Sequence, residues 1–374
     1  MKKYLLLFLV VLSAVFTLAA CGNDTFEIAL ITDKGNIDDK SFNQGAWEGV
    51  VAFAEENDIT HQYYKPEEGT SDAYLASIDL AVLGGAKVIV TPGYLFEVPM
   101  FTAQTTYPDV KFILLDGAPH TADYVTYETK SNVASIVYAE EESGWLAGYA
   151  AVKDGLTDLG FMGGMAVPAV QAFGYGYLQG ADYAAAELNI ANIDVTYHYT
   201  GDFAENDTNK ATAATMFQEG VEVVFACGGS VGKSVMSAAA EANKLVIGVD
   251  VDQRYDSPTV ITSAMKGLAA SVQAVLDSIY NTNSFATYGG KTTTFNAAND
   301  GVGLPTSVIG DDAANSFDRF SSFDAVDYAA AFALLVNGTV DPLRSITVAA
   351  ESGAATAAEL VSGLSLTHVT VTVR

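Results

Sequence analysis

The chain has 374 residues, 18 Lys plus Arg against 45 Asp plus Glu, and a formal net charge of −27. It is longer than the roughly 150 residues of a typical domain, so two domains are predicted, and its 50% hydrophobic content excludes wholesale disorder. The acidic excess excludes nucleic-acid and anionic-lipid binding through clustered Lys and Arg, two cysteines exclude a disulfide framework or multi-cysteine metal site, and four histidines leave little for zinc.

The first predicted element, Met1 to Ala20, carries two lysines, an apolar run and a small-residue end, the pattern of an export signal. Leu18-Ala19-Ala20-Cys21 resembles the lipobox of bacterial lipoproteins. It implies cleavage before Cys21, acylation of that thiol, a tether over residues 21–25, and attachment to the outer face of the cell membrane. The run from Tyr4 to Ala20 is short for a membrane span. Acyl chains contribute about 0.8 kcal/mol per buried methylene, so a multiply acylated cysteine holds firmly. Cys227, inside the apolar run Val223 to Cys227, reads as an unpaired core thiol.

Strands are predicted at Phe26–Ile31, Lys87–Thr91, Lys111–Leu115, Leu159–Met162, Val195–Tyr199, Val221–Ala226 and Leu245–Val249. Helices are predicted at Ser41–Glu56, Ala169–Leu188, Asn209–Glu219, Val231–Ala242 and Phe323–Asn337. Continuous apolar strands alternating with helices imply parallel sheets covered on both faces. The pattern runs twice, with a break near Val152 to Thr157, so two doubly wound α/β domains are expected. Val340 to Arg374 shows no placeable pattern.

Such sheets bind ligands beyond the carboxyl ends of their strands. There the sequence has Asp33, Gly93, Asp116-Gly117, Gly163-Gly164, Gly228-Gly229 and Asp250. Small residues let a ligand approach the backbone and aspartates accept hydrogen bonds, although a turn would favour the same residues. In Ile31 to Gly45, Ser41 with Gln44 fits a capping box. A cap leaves Phe42 and Asn43 unexplained. At that helix start a ring could stack on a flat ligand and an amide could read its edge.

The run D-x-G-x-x-D-D-x-S-F-N-x-x-A-W-x-G from Asp33 to Gly49 resembles the opening of the basic membrane protein family, the substrate-binding lipoproteins of ABC transporters that are purine nucleoside receptor A-like. The resemblance continues through Glu142 to Ala151, Gly160 to Met165 with Val167-Pro168, Phe173 to Tyr177, Gly201-Asp202-Phe203, Gly228-Gly229, Ile247 to Gln253, Thr262 to Lys266 and Asp300 to Leu304. It covers about Ile28 to Leu304. It implies a type I periplasmic-binding-protein fold, two doubly wound parallel-sheet lobes joined by a hinge that close on a nucleoside. The first lobe is expected at 26–152 plus about 255–295, the second at 153–254 plus about 296–340, and 341–374 is left as an extension.

The same resemblance implies site roles. Phe42 and Phe203 sandwich the base, Asp33 and Asn43 read it, Gly229 offers backbone, Asp250 takes ribose hydroxyls, and Lys266 donates to ribose or base. Asp116 and the region of Glu141 join them. It further implies a purine nucleoside as ligand, permease subunits as partners, the membrane through lipidated Cys21, a monomer, no cofactor, no metal and no catalysis. Carboxylates at Asp33 and Asp250 would repel a phosphate, which favours nucleosides over nucleotides. Phe203 is followed by Ala204-Glu205-Asn206-Asp207, a departure from the family's pattern.

Two motifs mislead. Gly228 to Ser234 looks like a phosphate loop, but the required glycine five residues before Gly232 is Cys227. Asp38-Asp39 lacks the alternating acids of a calcium loop and reads as a solvated turn. His120 reads as a surface-loop residue. The alternatives are a binding protein for a sugar or other small ligand, and a nucleoside hydrolase or phosphorylase using Asp33, Asp116 or Asp250.

Overall fold

The computed structural model describes residues 25–306, 316–344 and 357–374. The expected leader and Cys21 lie outside the described residues. The chain first builds strands β1 (Ile28–Ile31), β2 (His61–Tyr64), β3 (Val88–Pro92), β4 (Lys111–Leu115) and β5 (Val133–Tyr138). It then lays down β6 (Asp158–Gly163), β7 (Ile193–Tyr199), β8 (Val223–Cys227), β9 (Leu245–Asp250) and β10 (Val260–Lys266) in a second sheet. Strand β11 (Lys291–Phe295) returns to the first sheet, while β12 (Val302–Gly303) and β13 (Val369–Val373) join the second. The orders are β11-β5-β4-β3-β1-β2 and β12-β10-β9-β8-β6-β7-β13. All pairings are parallel except β10 with β12.

Every residue of β1, β3 and β8 is buried, as a parallel sheet covered on both faces requires. The covering helices are α1 (Phe42–Glu56), α2 (Ser71–Leu83), α3 (Glu97–Thr106), α4 (Glu140–Lys153), α5 (Pro168–Leu188), α6 (Asp207–Gln218), α7 (Val231–Ala242) and α8 (Leu268–Tyr280). Helix α9 (Ala325–Val336) follows β12, and a short α10 (Ala357–Leu360) precedes β13.

Helices α4 and α5 meet backbone to backbone. A Cβ on Gly144 would lie 2.2 Å from Phe173 O, and one on Gly148 2.1 Å from Tyr177 O. Reciprocally, Gly176 would strike Glu141 O at 2.0 Å and Gly180 would strike Trp145 O at 1.9 Å. Glycines spaced by four on both helices therefore remove the side chains that would hold the axes apart. This contact ties α4 to the second sheet's helix, so the chain leaves the first lobe at Ala139, not near Val152. It re-enters at Gly267, because β10 belongs to the second sheet while α8 packs on α1. The expected assignment of 255–295 to the first lobe is corrected to that extent. The last crossing follows Phe295. The tail also gains a place: β13 pairs in parallel with β7 as an edge strand. Among the described residues no helix is long and apolar enough to cross a membrane.

Candidate functional site

The carboxyl ends of both sheets open onto one cleft between the lobes. All eight residues expected there, Asp33, Phe42, Asn43, Asp116, Phe203, Gly229, Asp250 and Lys266, line it. Asp33 follows β1, Asp116 follows β4 and Asp250 ends β9, so three carboxylates arrive on three strand ends. Asp116 and Asp250 adopt positive φ of 59° and 68°, where the chain turns out of its strand.

Helix α1 starts differently from the capping box that Ser41 and Gln44 suggested. Ser41 makes no side-chain cap. Asp39 does this work, and is 4% exposed where a solvated turn was expected. Its carboxylate accepts from the backbone N–H groups of Ser41 at 2.9 Å, Asn43 at 3.1 Å and Gln44 at 3.1 Å. The hydroxyl of Ser41 is thereby free to cross the cleft and donate to Asp250 Oδ2 at 2.5 Å. Asp39 Oδ2 also accepts from Asn43 Nδ2 at 2.9 Å, and Asp33 Oδ1 accepts from the same nitrogen at 2.8 Å. Asn43 Oδ1 in turn accepts from Asp33 N at 3.2 Å. The amide that is expected to read a ligand therefore also orients Asp33. Asp39→Ala should cost about 1–2 kcal/mol of stability through the lost cap, and should also loosen Asp33. Chemical denaturation checks the first effect and ligand titration the second.

The loop from Asp38 to Ser41 clasps the second lobe at further points. Lys233 Nζ donates to Asp38 O at 3.1 Å, Gln253 Nε2 donates to Lys40 O at 2.6 Å, and Lys40 Nζ lies 3.7 Å from Asp256. The lysine of the phosphate-loop look-alike is therefore an interlobe contact.

Lys266, the last residue of β10, is 3% exposed. Its ammonium pairs with Asp116 Oδ2 at 2.6 Å and Glu140 Oε1 at 3.1 Å, with Asp250 Oδ1 at 3.9 Å. It also sits 4.7 Å from the centre of the Phe42 ring. These partners hold the Lys266 ammonium charged well above the ordinary lysine range, overcoming its burial. Asp116 Oδ1 is buried with no hydrogen-bond partner, an acceptor left for something in the cleft. Phe203 stands on the opposite lobe against Gly164, where a Cβ would come within 2.4 Å of the ring.

Among the lining residues that the sequence did not single out by number are Glu140, next to the expected Glu141, and Arg344. Glu140, 1% exposed, begins α4, and Arg344 comes from the tail. The run Glu140-Glu141-Glu142 could have signalled a helix start; nothing local marks Arg344. His120 is not a surface residue: it is 2% exposed, with Nε2 3.2 Å from Glu97 Oε2 and Nδ1 2.8 Å from Thr121 O. It is absent from the cleft lining because the loop turns it under Tyr124, whose ring stacks on it at 4.4 Å. Cys227 is buried and unpaired, and burial pushes its thiol up. Among the described residues no group of His, Cys, Asp or Glu is placed to hold a metal ion.

Burial raises Asp33 to about 6 against the hydrogen bonds from Gly35 and Asn43. Burial likewise raises Asp116, against the pull of Lys266, to about 7, and Glu141, against Arg344, to about 7. From about pH 4, the ordinary carboxylate value, up to these values the folded chain holds protons that the unfolded chain has released. These groups therefore stabilise the fold more as pH falls from 7.5 to 5, and less as it rises. Asp33→Asn should flatten that dependence in ligand-free melts, because an amide does not titrate.

A family model described as "ABC transporter substrate-binding protein PnrA-like" matches residues 26–326. The "ABC transporter nucleoside-binding protein BmpA" of Lactococcus lactis subsp. cremoris is 32% identical over 298 residues, 74% of this chain and 80% of that protein. "Basic membrane protein A" of Borreliella burgdorferi is 30% identical over 317 residues, 83% of this chain and 87% of that protein. Among solved structures, an ABC transporter solute-binding protein from Aeropyrum pernix K1 has the same fold, with a TM-score of 0.74 at 22% identity over 86% of this chain and 94% of that one. The two parallel-sheet lobes are those of the periplasmic-binding-protein type.

Proposed function

Because this chain belongs to the Bmp family of PnrA-like ABC transporter substrate-binding proteins, we propose that it captures a purine nucleoside by lobe closure and delivers it to a transporter permease. As a substrate-binding protein it is not an enzyme. We further propose that Cys21 is the lipid anchor that holds it at the outer membrane face.

The observation that supports a nucleoside is the pairing, in one cleft, of two phenyl rings from opposite lobes with a buried carboxylate–lysine cluster. In this reading Phe42 and Phe203 take the two faces of the base. Stacking is indifferent to which base is present, so selection falls to Asp33, held by Asn43, and to the unpartnered oxygen of Asp116. Asp250 accepts from the ribose hydroxyls, which a carboxylate pairs with well. Lys266 neutralises that corner and donates to the ligand. Gly229, at φ +55°, brings backbone to the ligand without a side chain. Contacts from both lobes stabilise the closed state, and the Asp38–Ser41 clasp adds protein–protein bonds to it.

Calorimetric titration with guanosine, inosine and adenosine tests the reading. At least one should bind, and should raise the melting temperature as linkage requires. Affinity should fall as pH drops through about 6, where Asp33 takes up a proton and loses acceptor capacity. Binding of a free sugar with no response to any nucleoside would replace the reading. Hypoxanthine released from inosine would turn it into catalysis.

A further inference from the structure

The segment that carries Arg344 lies beyond residue 326, the last one matched by the family model. It is fixed to α5 by a reciprocal pair: Leu343 N donates to Gln179 Oε1 at 2.9 Å, and Gln179 Nε2 donates to Leu343 O at 3.0 Å. The next residue, Arg344, is delivered into the cleft lining. Its Nη1 donates to Tyr138 O at 2.8 Å, to Glu141 Oε2 at 2.6 Å and to Glu140 Oε2. Tyr138 ends β5 in the first lobe, and the two glutamates open α4 on the second, so the guanidinium straddles a hinge crossing. The other oxygen of Glu140 faces Lys266 at 3.1 Å, and Lys266 reaches Asp116 at 2.6 Å and Asp250 at 3.9 Å.

We propose that Arg344 is a positioning residue for the sugar end of the ligand, acting through Glu140 on Lys266; this rests on the nucleoside reading above. Lys266 is shared among three carboxylates, and its reach to Asp250 is the longest of the three. Arg344 compensates one oxygen of Glu140 and so limits the pull of Glu140 on that ammonium. Without Arg344, Glu140 and Glu141 stand side by side, and among the described residues Lys266 is the one cation left paired with Glu140. The ammonium is then drawn toward α4, away from Asp250 and the ribose. A tail segment outside the family-matched residues thereby sets the ligand affinity of the family's site.

The test is calorimetric titration of the full chain with inosine. Arg344→Gln should weaken binding by at least about tenfold, the size of coupling expected between contacting charged groups. Adding Glu140→Gln to Arg344→Gln should restore most of the affinity, because it removes the carboxylate that captures Lys266. Arg344→Lys should lie between wild type and Arg344→Gln. Gln179→Leu, which releases the Leu343 backbone without touching the cleft, should reproduce part of the loss and serves where Arg344→Gln is poorly folded. Inosine affinity within about twofold of wild type in both Arg344→Gln and Gln179→Leu, on the scale where tenfold is 1.4 kcal/mol, would overturn the proposal. Additive losses in the Glu140→Gln, Arg344→Gln double variant would do the same, since a purely structural role predicts them. Wild-type protein that binds no nucleoside would instead overturn the functional reading, and this inference with it.

Discussion

Phe42→Ala and Phe203→Ala should each weaken nucleoside binding by about 1–3 kcal/mol, roughly 5- to 150-fold, and the double variant should bind too weakly to titrate. Both rings line the cleft and both are only partly buried, packed on the edge of the core. Under the stacking reading, truncation removes a ligand contact while leaving the interior strands intact. Each variant should retain a cooperative thermal transition, with the ligand-induced rise in melting temperature reduced or lost. Phe42→Ala should have the larger effect on stability as well as binding, because Lys266 lies 4.7 Å from that ring and loses a cation–π contact in a desolvated place. Unchanged affinity in both single variants would remove the stacking model.

Lys266→Met should be the most damaging single substitution in the cleft. The side chains are of similar length, so the change removes charge more than volume. It leaves Asp116, Glu140 and Asp250 buried around an apolar group. Removing one partner of a buried ion pair costs about 3–5 kcal/mol. The folded chain can reduce that cost only by protonating the carboxylates, so the variant should recover stability as pH falls toward 5, more steeply than wild type. Asp116→Asn in the Lys266→Met background should restore part of the loss, since it removes the carboxylate nearest the missing ammonium. Denaturant titrations at pH 5 and pH 7.5 measure both effects. A Lys266→Met protein as stable as wild type at pH 7.5 would show that the cluster is already largely neutral.

The strands that bear the site were legible because parallel strands covered on both faces are continuous apolar runs. Val88–Pro92, Lys111–Leu115 and Leu245–Asp250 were each found within a residue of their ends. Strand β2, His61–Tyr64, was missed because it is an edge strand whose half-exposed residues carry no such signal. Strand β10 was missed as a strand, although Lys266 at its end was expected in the site through the family resemblance.

Asp39 shows the limit of local reasoning at a helix start. Ser41 and Gln44 fit a capping box by type and spacing. The preference between Asp39 and Ser41 as the cap was decided by Asp250, more than two hundred residues away, which engages the Ser41 hydroxyl. Asn43 is similar. Its place at the helix start suggests ligand reading, and only the fold shows that its Nδ2 also donates to the neighbouring carboxylates Asp33 and Asp39. The placement of α4 also depended on tertiary contact. Its glycines are visible in sequence, but their use follows only from matching glycines on α5 meeting them at backbone distance.

The sequence by itself determined the two-series α/β alternation, the family, and a set of strand-end residues that converge on one cleft. It could do so because strand burial and the placement of residues at strand ends are local consequences of a period and a position along the chain. Only the tertiary structure decided which charges answer one another. Lys266, Glu140 and Arg344 come from β10, α4 and the tail, and electrostatic pairing depends on distance in space and on exclusion of water. Neither quantity is carried by separation along the chain, so the cation that completes the hinge cluster had no sequence signature until the fold brought it there.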